Sequence, residues 1–461
     1  MQKKLIVVGG GLAGSEAAWQ AAQRGISVTL YEMRPTQTTA AHQTGLLAEL
    51  VCSNSFGSLD PISAPGLLKD EMRRLGSLIL SAGEAASLPA GGALGIDRDI
   101  FSRDIHDKIF SHPNITILHE EVKNVPRDSI AIIATGPLTS DPLAHSIREI
   151  THAEHLSFFD AVSPIVDAES INMETVFRAS RYRDGEGDYL NCPFDSAQYD
   201  LFYDAMVKAE VVPFKPFEKI SYFENCLPIE VLAERGKQTP LFGPMKPVGL
   251  MNPKTQRQPF AVVQLRAENR FGTCYNMVGF QTKMKWPEQK RIFRMIPGLE
   301  QAEFLRLGSI HRNTFINAPR LLLNTLQLRS CSTLLMAGQL TGVEGYVESA
   351  AIGYLAGLNA TRLLNGTAPV VPPVTTAHGA LIQYITESDA RHFQPMNINF
   401  GLFPPLSTPE KNRVERNRKI VERGQKDLSE WISHYSLAIN FGQGRPDQTE
   451  HPNVNPETAT Y

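Results

Sequence analysis

The chain has 461 residues, 42% hydrophobic and 20% charged, with a formal net charge of −3. That length allows one large core or several smaller ones, and the charge excludes wholesale nucleic-acid coating while permitting a local basic patch. No run of 18 apolar residues marks a membrane span, and the opening LIVV meets glycines too soon for a signal h-region, so a cytoplasmic protein is expected.

KKLIVVGGGLAGSEAAWQAAQRGISVTLYE reads as strand, glycine turn, helix and strand. LIVV is a short apolar run of the buried parallel type. Gly9, Gly11 and Gly14 fit G-x-G-x-x-G, with Gly10, Leu12 and Ala13 between them. The first glycine permits the tight turn, the second lets a pyrophosphate approach the backbone, and the third lets helix pack on strand. The helix is expected over SEAAWQAAQRG, ending at Gly25. Glu32 then closes the second strand about 20 residues past the glycines, where an acid would accept hydrogen bonds from a ribose. Together these features predict dinucleotide binding.

Further on, AELVCSNSFGSLD sets Cys52 in a turn-like run of Ser, Asn and Gly, a setting that suits a reactive thiol better than a core-filling one. ITILHEEVKNV and SIAIIATGPLTS predict two more strands, the second ending in Ala134, Thr135 and Gly136. AVSPIVDA, FAVVQLRAEN and TCYNMVGFQTKM predict strands of an insert. Its helical part is expected over PEQKRIFRMIPGLEQAEFLRL, on the spacing of Ile292, Phe293, Ile296 and Leu299, split in two by Pro297 and Gly298. KISYFENCLPIEVLAERG centres a second turn on Cys226, beside strand-like YFE and before a helical segment with Glu230 and Glu234.

STLLMAGQLTGVEGYVESAAIGYLAGLNATRLL predicts a strand that runs into glycines, Gly338 among them, and a helix from about Tyr346. A helix start there presents free N–H groups to an anion or a flavin carbonyl. TPEKNRVERNRKIVERGQKDLSEWI predicts a helix capped by Thr408 with Pro409 first. Residues 411, 413, 416, 418, 419, 423 and 426 are basic there against acids 415 and 422, which fits a solvated face or a phosphate-contacting one. The polar tail GQGRPDQTEHPNVNPETATY is expected to be disordered.

The predicted fold is α/β: a Rossmann-like, glutathione-reductase-like FAD-binding domain interrupted by a smaller α+β insertion domain. The expected boundaries are 1–165 and 326–461 for the FAD domain and 166–325 for the insertion. One dinucleotide fold broken by an insert is the layout of large FAD proteins. With no second G-x-G-x-x-G, NAD(P)H would bind transiently over the flavin. The five cysteines (52, 192, 226, 274, 331) are scattered without a CxxC pair, which argues against a disulfide framework, a zinc site and a flavin disulfide oxidoreductase.

GGGLAGSEAAWQAA, YEMRP, AELVCSNSF, PAGGALGIDRDIFS, ATGPL, FENCLPIEVLAERG, GLMNP, YNMVGFQTKMKWPEQKRIFRMIPGLE, HRNTFINAP, GQLTGVEGYVESAA and FQPMNINFGLFPP follow one another along nearly the whole chain. This series resembles the TrmFO family, the folate- and FAD-dependent tRNA (uracil-5-)-methyltransferases, which is related to the GidA flavoproteins. One departure is Gly95-Ile96 in GALGID, where Ala-Val is the commoner pair. The resemblance implies transfer of a one-carbon unit from 5,10-methylenetetrahydrofolate to C5 of uridine 54 in the tRNA T-loop, with NAD(P)H reducing FAD. It implies Cys226 as nucleophile and Cys52 as general base or proton shuttle, with the reverse assignment open, and no obligate protein partner. Either thiol must be partly ionised near neutrality, below its free pKa of about 8.5; Lys285, Arg291 and Arg98 are the candidate cations. Cys192, Cys274 and Cys331 are expected to be structural.

Cofactor contacts are thus expected from Gly9, Gly10, Gly11, Leu12, Ala13, Gly14, Glu32, Thr135, Gly136, Gly338 and Tyr346. Tyr346 would stack on the folate pterin or the target base, or pack on the isoalloxazine. RNA contacts are expected from Lys283, Lys285, Arg291, Arg294, Arg413 and Arg416, Lys290 lying in the same cluster. The competing readings are a GidA-like enzyme acting on a wobble uridine and a non-catalytic RNA-binding flavoprotein.

Overall fold

The computed structural model describes residues 3–39, 41–152, 156–182, 187–213 and 227–437. Six strands form the first sheet, in the order Gln327–Leu328, Cys331–Met336, Ala131–Ile133, Lys4–Val8, Ser27–Tyr31 and Ile115–Leu118. All neighbours are parallel except the first two. Leu334–Met336 pairs with Ala131–Ile133, so a strand late in the chain completes a sheet begun at its start. Leu5, Val7, Ile132, Ile133, Leu334 and Leu335 are fully buried. Helices cover both faces of such a sheet, which is why these strands read as unbroken apolar runs.

The helix after the glycine turn spans Leu12–Ala22, with Gly11 as its N-cap. It begins three residues before the expected Ser15 and stops short of Gly25, so Leu12, Ala13 and Gly14 form its first turn rather than a loop. The Tyr346–Leu364 helix packs closely against it. A Cβ on Gly353 would sit 2.2 Å from the carbonyl oxygen of Ala13, and one on Gly357 2.5 Å from that of Ala17. Small residues on both helices permit this approach. The fold is α/β with a Rossmann-like parallel sheet.

The second sheet is antiparallel, in the order Phe177–Ala179, Tyr189–Phe194, Ala261–Ala267, Cys274–Met277, Ile165–Asp167 and Phe304–Arg306. AVSPIVDA does not form one strand. It divides at Ser163-Pro164, with Leu156–Val162 paired instead to Ser309–Phe315. The expected helix beyond Pro297 is also corrected. Helix occupies Trp286–Phe293, Gly298 turns the chain at φ +91°, and Phe304–Arg306 is an edge strand. Ile292, Phe293, Ile296 and Leu299 are all fully buried, so their spacing reported burial throughout and helix only for Ile292 and Phe293.

The C-terminal helix spans Arg413–Tyr435 and is capped by Asn412, not Thr408. The Asn412 side chain accepts from the N–H groups of Val414 (2.9 Å) and Glu415 (3.2 Å), two donors that would otherwise lack a partner. One buried cluster draws on residues between Leu5 and Ile147 and between Phe315 and Leu437; a second draws on Val166 to Ala302. Among the described residues no helix is long and apolar enough to cross a membrane. The expected tail lies outside the described residues.

Candidate active site

The carboxyl ends of Lys4–Val8, Ser27–Tyr31, Ala131–Ile133 and Cys331–Met336 meet at one cleft, where the strand order reverses and such sheets bind ligands. Gly9 to Ala13, Glu32, Thr135, Gly136, Gly338 and Tyr346 all line it. Gly14 does not; it packs beneath. A Cβ there would lie 1.8 Å from the Gly9 carbonyl oxygen, while one on Gly9 (φ +104°) would lie 2.6 Å from that of Ala134. A Cβ on Gly11 would meet nothing within 4 Å, so this backbone faces open space at the start of a helix. Free N–H groups at such a start suit a pyrophosphate.

Glu32 is buried and accepts from the Gly10 N–H at 3.0 Å, the Arg34 N–H at 3.0 Å, and the Arg34 guanidinium at 3.0 and 3.1 Å. Burial pushes its carboxyl up, but the hydrogen bonds and charge of Arg34 outweigh that and hold it below the usual range. A ribose hydroxyl would have to share Glu32 with Arg34. Arg34 has other acceptors in Thr44 O (3.2 Å) and Glu49 (3.1 Å), so that exchange leaves no charge stranded. Arg34 and Glu49 were not foreseen: in sequence they are an unremarked Arg after YEM and a Glu before LVC.

Beside this cleft lies a cavity of about 400 Å³, within the range of small-molecule sites. Val51, Pro137, Leu138, Gln339 and Tyr346 line both. Cys52 is half-buried on the cavity wall, with Sγ 3.8 Å from the Ala161 carbonyl oxygen. The Tyr346 hydroxyl accepts from the N–H groups of Cys52 (2.9 Å) and Ser53 (3.2 Å), and burial pushes its phenol well above the ordinary range. Tyr346 thus ties the Cys52 loop to the start of its own helix.

Arg98 donates to the Leu50 carbonyl and, at 3.5 Å, to that of Cys52, while pairing with Glu268 at 2.5 Å. Arg306, absent from the sequence-based set, donates to Val51 O at 3.2 Å and Ser163 O at 3.5 Å. Of the three cations expected near a thiol, Arg98 stands at Cys52, whereas Lys285 pairs with Glu210 (2.8 Å) and Arg291 with Glu288 (2.7 Å). Cys226 lies outside the described residues. Cys192 is fully buried, which pushes its thiol up; burial does the same for Cys274.

The proposed RNA contacts separate into two groups. Arg294 donates to the Ala302 carbonyl at 3.1 and 3.0 Å, and the Lys283 N–H donates to Glu230 at 2.7 Å. Arg413 and Arg416 are exposed and make no ion pair with another described residue, unlike Arg418 (Glu415, 3.2 Å) and Lys419 (Glu410, 2.7 Å).

A parallel sheet, a glycine cradle open at Gly11 and a cleft continuing past Gly338 to Tyr346 fit FAD, and they define a flavin-binding protein of the dinucleotide-fold class. The family model for glucose inhibited division protein A matches residues 4–368. The methylenetetrahydrofolate–tRNA-(uracil-5-)-methyltransferase TrmFO of Heliobacterium modesticaldum is 57% identical over 427 residues, covering 93% of this chain and 97% of its own length. The protein of the same name from Geobacter sulfurreducens is 55% identical over 434 residues, covering 94% of this chain and 100% of its own. This chain belongs to the TrmFO family. The solved structure of Aquifex aeolicus GidA matches with a TM-score of 0.65 at 15% identity, covering 95% of this chain and 75% of that one; that likeness is one of fold.

Proposed function

We propose that this chain is a methylenetetrahydrofolate- and FAD-dependent tRNA (uracil-5-)-methyltransferase that converts uridine 54 of the T-loop to ribothymidine. The name shared by its relatives supports the reaction class. The observation that carries the site is Cys52 on the wall of a cavity that shares Val51, Pro137, Leu138, Gln339 and Tyr346 with the dinucleotide cleft.

Uracil C5 is a poor nucleophile until a thiolate adds at C6 and places carbanion character on C5. C5 then takes the one-carbon unit, loses its proton to a base and expels the carrier nitrogen of the folate, leaving an exocyclic methylene; hydride addition there re-forms the C5–C6 double bond and expels the thiolate. FAD, when bound and reduced by NAD(P)H, supplies the hydride that makes the exocyclic methylene a methyl. The assignment is Cys226 as nucleophile and Cys52 as base, with the reverse decided by the mutants below. Cys52 is set to receive a proton in the cavity: Tyr346 fixes its backbone, and Arg98 and Arg306 place positive charge beside its loop. The target base must leave its stack to enter, at a cost of a few kcal/mol that phosphate contacts offset.

Arg413 and Arg416 are the readiest phosphate contacts, since Lys285 and Arg291 would first have to release Glu210 and Glu288, and Arg294 the Ala302 carbonyl. Lys283 joins them as a weaker contact. The two buried clusters support an interrupted FAD domain with an insertion from about 166, but Phe315, Ile316, Ala318 and Leu322 pack with the first cluster, so the second boundary is drawn between Ala302 and Phe315 rather than at 325/326. No second protein is invoked.

The test is turnover by purified, flavin-loaded mutants. Cys226→Ala is expected to abolish ribothymidine, Cys52→Ala to lower it by at least about a hundredfold with flavin retained, and Cys331→Ala to stay within about tenfold of the parent. Equal loss in Cys331→Ala and Cys226→Ala would sink the assignment.

A further inference from the structure

Three buried ionisable side chains on the cavity wall, Lys69, Glu344 and Glu348, have no part in the chemistry above. Lys69, on the Ala64–Arg74 helix, is 2% exposed. Its ammonium donates to the carbonyls of Ser58 (2.9 Å) and Pro65 (3.3 Å), which leaves one of its three N–H donors. Glu348, in the first turn of the Tyr346–Leu364 helix, is 7% exposed. Its Oε1 accepts from the Ile398 N–H at 3.1 Å, its own backbone N–H and the Asn397 side chain also bond the carboxyl, and its Oε2 lies beside Gly345 (φ +114°), where a Cβ would come within 2.1 Å. Both side chains line the cavity that holds Cys52.

Each lies in the other's field, yet among the described residues no ion pair within 4.0 Å joins them. Burial pulls the Lys69 ammonium down to about 8 and pushes the Glu348 carboxyl up. Hydrogen bonds from Lys69 to Ser58 and Pro65, and to Glu348 from Ile398 and Asn397, offset part of the cost of burying the two groups apart, and the remaining ammonium N–H and carboxylate lone pairs are left for a group in the cavity. An anion would satisfy Lys69 but face Glu348 and the buried Glu344; a cation would do the reverse. A neutral group with an acceptor next to a donor satisfies both. Phe56 and Leu68, apolar and on the same wall, suit the face of a flat ring.

We propose that Lys69 and Glu348 read the adjacent C=O and N–H of a cyclic amide on the ring that the cavity receives, the ammonium donating to the oxygen and the carboxyl accepting from the N–H. The proposal rests on the folate and uracil reading above, because both the pterin and the target base carry such an edge. It makes the pair positioning and specificity residues.

Flavin-loaded Lys69→Met, Glu348→Leu and Glu348→Gln would be compared for tetrahydrofolate binding, read from the flavin absorbance, and for KM toward methylenetetrahydrofolate and T-loop tRNA. Lys69→Met and Glu348→Leu are expected to weaken one substrate about 10- to 100-fold, and Glu348→Gln, which keeps an acceptor, far less. A rise confined to folate assigns the pterin edge; one confined to tRNA assigns the uracil edge. Unchanged KM for both substrates in variants that keep flavin and Tm overturns the pair.

A ligand-side measurement covers variants that fail to fold. With the parent protein, methylating the ring N–H of the recognised substrate should cost at least about tenfold, and no loss with either methylated substrate overturns the proposal. A parent protein that makes no ribothymidine yet binds tetrahydrofolate in a Lys69-dependent way would defeat the reaction reading and leave the pair standing.

Discussion

The Gly9–Gly14 turn and the Cys52 loop border neighbouring cavities, but they are held by opposite means. Volume holds the first: a Cβ on Gly9 or Gly14 would drive into backbone at 2.6 or 1.8 Å. Charge and hydrogen bonds hold the second, through Tyr346, Arg98 and Arg306 acting on the N–H and C=O groups of residues 50–53. A turn held by volume tolerates no added atom. A loop held by charge tolerates changes of size and fails when a donor is removed.

The sharpest break in that comparison is Gly14→Ala. Its methyl has no room, and its neighbour is backbone that cannot rotate away, so the cost should exceed about 3 kcal/mol. Flavin-to-protein ratio by absorbance is expected to collapse, with little folded holoprotein recovered. Arg98→Met should act differently. It strands Glu268 in a buried setting, a loss of about 3–5 kcal/mol that thermal unfolding would register, yet flavin binding should survive in the folded fraction. Adding Glu268→Gln should recover part of the loss. Equal flavin loss in Gly14→Ala and Arg98→Met would erase the distinction.

Lys69 extends the comparison to pH. Its folded pKa of about 8 lies below the ordinary 10.5, so between those values the unfolded chain holds a proton that the folded chain has released. Stability from this group therefore rises with pH across that window, and below 8 the full burial cost stands. The difference is about 3 kcal/mol at most. Denaturant titrations of the parent and Lys69→Met should show the parent gaining on the variant as pH rises from below 8 toward 10.5; a constant gap would contradict the assignment. The smallest effect is expected at the surface. Arg413→Ala with Arg416→Ala should weaken tRNA binding and flatten its salt dependence by about one unit of slope per lost phosphate contact, read by filter binding across a salt series.

The first region was legible because its chemistry is local. Strand, glycines, helix and acid lie within thirty-odd positions, and backbone geometry does the binding. Cys52 stood out through its Ser, Asn and Gly neighbours, but its holders did not: Arg98, Arg306 and Tyr346 bond to its loop from 46, 255 and 294 residues away in sequence. Contacts of that span leave no period to read. Lys69, in APGLLKDEM, looks like the polar face of an amphipathic helix, and only tertiary packing reveals a buried ammonium. Phe304–Arg306 failed for another reason. The turn at Gly298 redirects the chain, and Phe304-Leu305-Arg306, half-buried at its ends and exposed at Leu305, pairs with a sheet edge, a contact that no helical spacing reports. At Thr408 a Pro at the following position was persuasive, but Asn412, four residues on, satisfied the helix donors.

The central claim is one-carbon transfer from folate to a T-loop uracil by this flavin-binding chain. An unmodified T-loop transcript would be incubated with flavin-loaded protein and NADPH, with either methylenetetrahydrofolate or S-adenosylmethionine, and its nucleosides analysed by mass spectrometry. Ribothymidine appearing only with the folate is the expected result. A flavin-loaded, reducible protein that yields none, or that yields it only from S-adenosylmethionine, would contradict the account.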